Sequence, residues 1–120
     1  MRVLIVEDNE FNQMVLTDML ELLYPQMEIE VEDGAVETLQ RSDLDSFDLV
    51  LSDIDMPTMN GYELYIELRE KRAFKNPVIA VTALAIKGDK EQMLEHGFDD
   101  YISKPINIDL LKNVVDKFIV

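Results

Sequence analysis

The chain has 120 residues, 25 of them acidic and 11 basic, and a formal net charge of −14 at neutral pH. That balance argues against direct nucleic-acid binding, which needs cations facing phosphates, and leaves proteins or metal cations as partners. With 48% hydrophobic residues, 30% charged residues and no cysteine, it reads as one soluble globular domain, residues 1–120, without disulfides or thiolate metal sites. No apolar run approaches the roughly 18 residues of a membrane span, and Met1 opens on a strand, leaving no room for a signal peptide. A cytoplasmic monomer is expected.

"VLIV" (3–6) is a short, β-branched, wholly apolar run, which marks a strand covered on both faces. Asp8 and Asn9 can cap the helix that follows. In residues 10–23, Phe11, Val15, Met19 and Leu22 recur near helical spacing, and Leu16, Leu20 and Leu23 widen the apolar stripe. Pro25 breaks that helix. "MEIEVE" (27–32) alternates apolar and acidic residues, as an edge strand with one wet face would. Asp33-Gly34 is a turn, 35–40 a short helix, 47–53 a third strand and 62–74 a second long helix. "PVIAVTA" (77–83) is a fourth strand; 88–97 is a helix stopped by Gly97, a natural left-handed cap. "YIS" (101–103) is a short fifth strand, and 107–119 the last helix. The seven methionines read as core filler, and His96, the single histidine, as a last-turn residue.

Strands alternating with helices imply right-handed crossovers and a doubly wound α/β fold: a five-stranded parallel sheet with helices on both faces. Ligands in such sheets sit beyond the carboxyl ends of the strands. Glu7 and Asp8 follow strand one, Asp53 and Asp55 strand three, Thr82 and Ala83 strand four, and Ser103, Lys104 and Pro105 strand five. Four segments thus deliver acids, a hydroxyl and one ammonium to the same rim. Carboxylates held together repel unless a cation or proton intervenes. Oxygen ligands without histidine or cysteine select a hard cation such as Mg²⁺, with Mn²⁺ as a substitute. A fixed strand-end carboxylate can attack phosphorus, and a phosphoryl group formed there needs a point charge from Lys104, the Thr82 hydroxyl and the Ala83 amide. Pro57 disfavours helical geometry at Met56, so the loop after Asp53 can curl and turn a backbone carbonyl toward a metal.

"VLIVEDN", "DLVLSDIDMPTMNGYE", "PVIAVTA" and "DDYISKPI", in this order and spacing, resemble the response-regulator receiver domain of the CheY-like superfamily over essentially the whole chain. The motif style is similar to DivK-type stand-alone and hybrid-kinase receivers. The resemblance implies a flavodoxin-like strand order 2-1-3-4-5. It implies Asp53 as phosphoacceptor, Asp8 and Asp53 as Mg²⁺ ligands, Glu7 acting through water and the Asp55 carbonyl as a further ligand. It implies that Thr82 and Lys104 bind the phosphoryl group, that Tyr101 switches with Thr82, and that Lys104–Pro105 is cis. The expected donor is a phosphohistidine on a sensor kinase or phosphotransfer domain, and the downstream protein is unspecified. Such a module catalyses only its own phosphorylation and dephosphorylation. Asp55 and Leu84 would flank the hydrolytic water, and the apolar Leu84 predicts a long-lived aspartyl phosphate.

Other readings fare worse. A calcium loop starting at Asp53 would need glycine at its sixth position and an acid at its twelfth, where Thr58 and Leu64 stand. A haloacid-dehalogenase-like phosphatase also uses a strand-end Asp with a second two residues on, but expects Thr or Val where Pro57 stands. No glycine-rich phosphate loop follows the first strand. A receiver module excised from a hybrid kinase is a further alternative.

Overall fold

The computed structural model describes residues 1–83 and 95–119. Five parallel strands form one sheet in the order β2-β1-β3-β4-β5. They are β1 (Arg2–Val6), β2 (Glu28–Glu32), β3 (Leu49–Asp53), β4 (Val78–Thr82) and β5 (Asp100–Ser103). The helices are α1 (Glu10–Leu23), α2 (Ala35–Leu39), α3 (Gly61–Ile66) and α4 (Ile108–Val115). The order 2-1-3-4-5 is the one the resemblance implies.

Alternation along the strands divides the core into two layers. Val3, Ile5, Leu49, Leu51, Ile79, Val81 and Ile102 pack with Leu16 and Leu20 of α1 and Leu111, Val114 and Val115 of α4. Leu4, Val6, Val50, Val78 and Ala80 point the other way, toward Ala35 of α2 and Leu64 of α3. β3 and β4 are buried at every position, as strands covered on both faces must be. β2, at the edge, keeps all five residues partly or fully exposed. No described helix is long and apolar enough to cross a membrane.

The caps follow local chemistry. The Asn9 side chain accepts from the Asn12 N–H at 3.0 Å and starts α1. Asn60 and Glu63 close a reciprocal capping box on α3, and Asn107 caps α4. Gly97 has φ +107°, the left-handed stop its sequence suggests.

Three expectations need correction. The buried stripe of α1 runs through Leu16 and Leu20, whereas Phe11 is 66% exposed and Leu22 73%. The wide stripe left the helix's rotation open by about one residue, and α1 turns its leucine edge to the sheet. Second, α3 does not run smoothly to residue 74. At Glu67–Lys71 it loosens into a wider π turn, in which Arg72 N–H donates to the Glu67 carbonyl. Ala73 then adopts φ +53° and Phe74 N–H returns to the Leu68 carbonyl. Arg69 causes much of this, donating to the Phe74 and Asn76 carbonyls and pairing with Asp99. Third, Met1 and Met14 are exposed, so methionine here is not uniformly core. Residues 84–94, with most of the helix expected over 88–97 and with Leu84, lie outside the described residues.

A network covers the β2 edge. Arg41 pairs with Glu30, Glu32 and Asp43 at 2.7 to 2.9 Å, and Arg2 reaches Glu28, Glu30 and Asp43. Both guanidinium groups stack on the Phe47 ring.

Candidate functional site

The parallel register brings four strand ends to one rim. Val6 of β1 lies opposite Ser52 of β3, Asp53 opposite Val81 of β4, and Thr82 opposite Ser103 of β5. One residue farther along these strands stand Glu7, Ala83 and Lys104. The Lys104 N–H donates to the Thr82 carbonyl at 2.8 Å, carrying the ladder past the end of β5.

Glu7 and Asp53 are buried, at 1% and 4% exposure, while Asp8 is exposed. One carboxylate oxygen from each of the three comes within 4.8 Å of the others. Lys104 enters this group, its Nζ 3.0 Å from Glu7 Oε2 and 3.4 Å from Asp53 Oδ1. The Ile54 N–H donates to Asp53 Oδ1 at 2.8 Å. Burial, then the Glu7 charge, pushes the Asp53 carboxyl up to about 6, although Lys104 pulls the other way. Burial works against the Lys104 ammonium, but its hydrogen bond to Glu7 and the charges of Asp53 and Glu7 prevail and raise it. Two buried carboxylates thus share the Lys104 ammonium, and the exposed Asp8 adds a third carboxylate beside them. An all-oxygen, net-negative donor set of this kind fits a hard divalent cation.

The loop after Asp53 is pinched. Met56 N–H and Gly61 N–H both donate to the Ile54 carbonyl, at 3.1 and 2.9 Å, and Met59 N–H donates to the Pro57 carbonyl across Thr58, whose φ is +70°. The helix restarts only at Gly61, consistent with the restriction Pro57 places on Met56. Gly61 permits the pinch: a Cβ there would lie 2.4 Å from the Asp53 carbonyl oxygen. The Asp55 side chain is exposed and is not among the converging carboxylates.

Thr82 is buried at the end of β4, and Ala83 stands exposed just beyond it. Tyr101 is half-buried on β5, opposite Ala80, and packs on the layer containing Phe98. The Lys104–Pro105 bond is cis. His96 is exposed, its ring 4.5 Å from that of Tyr62. Sequence reasoning passed over Asn12 and Gln13. Asn12 Nδ2 donates to Glu7 Oε1 at 3.4 Å, and Gln13 Nε2 donates to the Glu7 carbonyl at 2.6 Å and to Asp33 Oδ1 at 2.8 Å. The available signal was two carboxamides side by side in the first turn of a helix that starts at the acidic pair.

Comparison with known proteins agrees with this geometry. Residues 3–116 match the family described as response regulator receiver domain. The chain is 41% identical over 122 residues to hybrid signal transduction histidine kinase I of Dictyostelium discoideum, and 37% identical over 115 residues to the sensor histidine kinase RcsC of Salmonella typhimurium. Each alignment covers 96% of this chain, which spans only 7% and 12% of the length of these two relatives. Among solved structures, the receiver domain of the Pseudomonas aeruginosa sensor histidine kinase PA1611, with a magnesium ion in its active-site cleft, superposes at a TM-score of 0.79 with 30% identity. That match covers 98% of this chain and 95% of the other. A complex of the Saccharomyces cerevisiae phosphotransfer protein Ypd1 with the receiver domain of Ssk1 matches at 0.84 with 26% identity, covering 98% and 88%. Strand order, rim and sequence relationship together make the chain a member of the response regulator receiver domain family.

Proposed function

We propose that this receiver accepts a phosphoryl group from a partner's phosphohistidine onto Asp53 and signals through the resulting change in its protein contacts. The observation that carries the reading is the convergence of Glu7, Asp8 and Asp53 within 4.8 Å, with Lys104 in contact with two of them. In the transfer, the phosphorus–nitrogen bond to imidazole breaks as a phosphorus–oxygen bond to the Asp53 carboxylate forms, and the released imidazole nitrogen takes up a proton. Asp53 is fixed for this by its place at the end of a buried strand and by the Ile54 N–H. Lys104 faces the added charge, and the Thr82 hydroxyl and Ala83 N–H are the donors for the phosphoryl oxygens. Asp8 and Asp53 are the residues to hold Mg²⁺, with Glu7 through water and the Asp55 carbonyl. When bound, the cation offsets negative charge on the phosphoryl group. Mn²⁺, another oxygen-preferring divalent ion, is expected to substitute.

The phosphorylated state draws Thr82 toward the rim, and Tyr101 follows, altering the face that β5 and α4 present. Two states already in equilibrium suffice, with phosphorylation shifting their populations. The domain turns over no separate substrate; it catalyses its own phosphorylation and dephosphorylation. The magnesium-bound PA1611 receiver and the Ypd1–Ssk1 complex support the metal and the class of partner. The sensor and hybrid kinases among the relatives support a place within a phosphorelay, as a hybrid-kinase receiver or a separate relay protein. Residues 1–120 act as one cytoplasmic receiver unit, monomeric before phosphorylation. Phe11 and Met14, exposed on α1 just past Asp8, offer the donor protein an apolar landing surface.

Label transferred from a phosphorylated histidine phosphotransfer domain should be released by hydroxylamine, as an acyl phosphate is, and borohydride trapping should map it to Asp53. Hydroxylamine-resistant label, or label at another residue, would contradict the reading.

A further inference from the structure

We propose that Asn12 and Gln13 are positioning residues that aim the acidic pair Glu7–Asp8 at the cation site. The inference rests on the metal reading above and adds two residues to it. The Glu7 carboxylate is buried at 1% exposure, and its two oxygens have different partners. Oε1 accepts from the Asn9 N–H at 3.2 Å and from Asn12 Nδ2 at 3.4 Å, while Oε2 accepts from Lys104 Nζ at 3.0 Å. The two amides hold one oxygen toward α1 and so turn the other toward Lys104 and Asp53. Without the Asn12 donor only the Asn9 N–H holds Oε1, and the carboxylate turns more readily to place both oxygens on the ammonium, which withdraws it from a cation beside Asp53.

Gln13 works on the backbone beneath. Its amide gives one proton to the Glu7 carbonyl and the other to Asp33 Oδ1, clamping the start of the β1–α1 loop to the β2–α2 turn. Asp8 stands on that loop, one residue past the clamped carbonyl. The Asn12 backbone N–H is already committed to the Asn9 cap, so the Asn12 side chain is not needed to start the helix. Partners that orient metal ligands alter affinity without touching the ion.

The test is the Mg²⁺ dissociation constant of the unphosphorylated protein, from calorimetric titration with MgCl₂. Asn12→Leu keeps nearly the same shape and loses the donor; Gln13→Met does likewise. Each should weaken Mg²⁺ binding by about tenfold, and the Mg²⁺ concentration for half-maximal acetyl phosphate labelling should rise by the same factor. Gln26→Met, in the loop before β2 and far from the rim, serves as the control and should bind as wild type does. Melting in EDTA reads any purely structural contribution separately. If Asn12→Leu and Gln13→Met melt earlier but bind Mg²⁺ with wild-type affinity, the residues are structural and the inference is overturned. A wild type that binds no Mg²⁺ overturns the metal reading itself, before any variant is compared.

Discussion

Replacing Gly61 by alanine tests how the loop fixes Asp53. An added Cβ would lie 2.4 Å from the Asp53 carbonyl oxygen, 2.8 Å from the Ile54 Cα and 2.9 Å from the Ile54 Cδ1. Ordinary contact begins at 3.4 Å, so the start of α3 and the end of β3 must separate by 1 Å. The two nearest obstacles are backbone atoms at the end of β3 and just past it, which cannot swing aside. Overpacking of this kind costs about 1–3 kcal/mol, against a helix-propensity gain for alanine of at most ~1 kcal/mol. A net loss of about 1–2 kcal/mol is expected, or roughly 4–8 °C in melting temperature for a chain of this size. Because the strand end carries Asp53, acetyl phosphate labelling should slow by at least about tenfold as well, since misplacing a reacting group by about 1 Å can cost a hundredfold. Gly34→Ala is the contrast. Its Cβ meets only the flexible Glu37 carboxylate at 3.2 to 3.3 Å, in an extended backbone any residue adopts, so the loss should stay within about 1 kcal/mol. A Gly61→Ala protein that melts and labels like wild type would refute the claim that this close approach holds Asp53 in place.

Burial and Glu7 push the metal-free Asp53 carboxyl up to about 6. A raised carboxyl binds its proton more tightly in the fold than in the unfolded chain, so Asp53 lowers stability as pH rises from its ordinary value of 3.8 through about 6, then levels off. Carbon-13 NMR should place its midpoint near 6 in EDTA and lower in Glu7→Gln; a midpoint near 4 in wild type refutes the geometry. Lys104→Met strips the ammonium from two buried carboxylates and should cost about 3 kcal/mol at pH 7.5. The loss should be smaller at pH 5, where proton uptake relieves it, and equal losses by denaturant melting at both pH values would refute the pairing. Phe11→Ser should alter stability by no more than about 0.5 kcal/mol yet slow transfer from a phosphohistidine protein more than from acetyl phosphate. Equal slowing would remove α1 as the landing surface.

The sheet was legible because the three central strands carry short apolar runs, 3–6, 49–51 and 78–81, each followed by polar residues. The rim was legible because polar residues stand at the ends of those runs: Glu7 directly follows the first, Asp53 comes two residues after the second and Thr82 directly follows the third, whereas Lys104 follows the short mixed strand Asp100–Ser103. What resisted reading depended on tertiary contacts. Leucine, phenylalanine and methionine occur on several sides of α1, so periodicity alone could not choose Leu16 and Leu20 over Phe11 and Leu22. The end of α3 is set by Arg69 reaching carbonyls at Phe74 and Asn76 and the carboxylate of Asp99, thirty residues away. No local pattern encodes that, nor the left-handed Ala73. Asn12 and Gln13 were overlooked because carboxamides in a helix's first turn are ordinary, and only the fold reveals that both face Glu7.

The most direct test of the central claim is the intact mass of the protein after incubation with acetyl phosphate, with Mg²⁺ or with EDTA, in wild type and Asp53→Asn. Wild type should gain a single phosphoryl adduct with Mg²⁺ and none in EDTA, and the variant should gain none. An adduct on Asp53→Asn equal to that on wild type would contradict that claim.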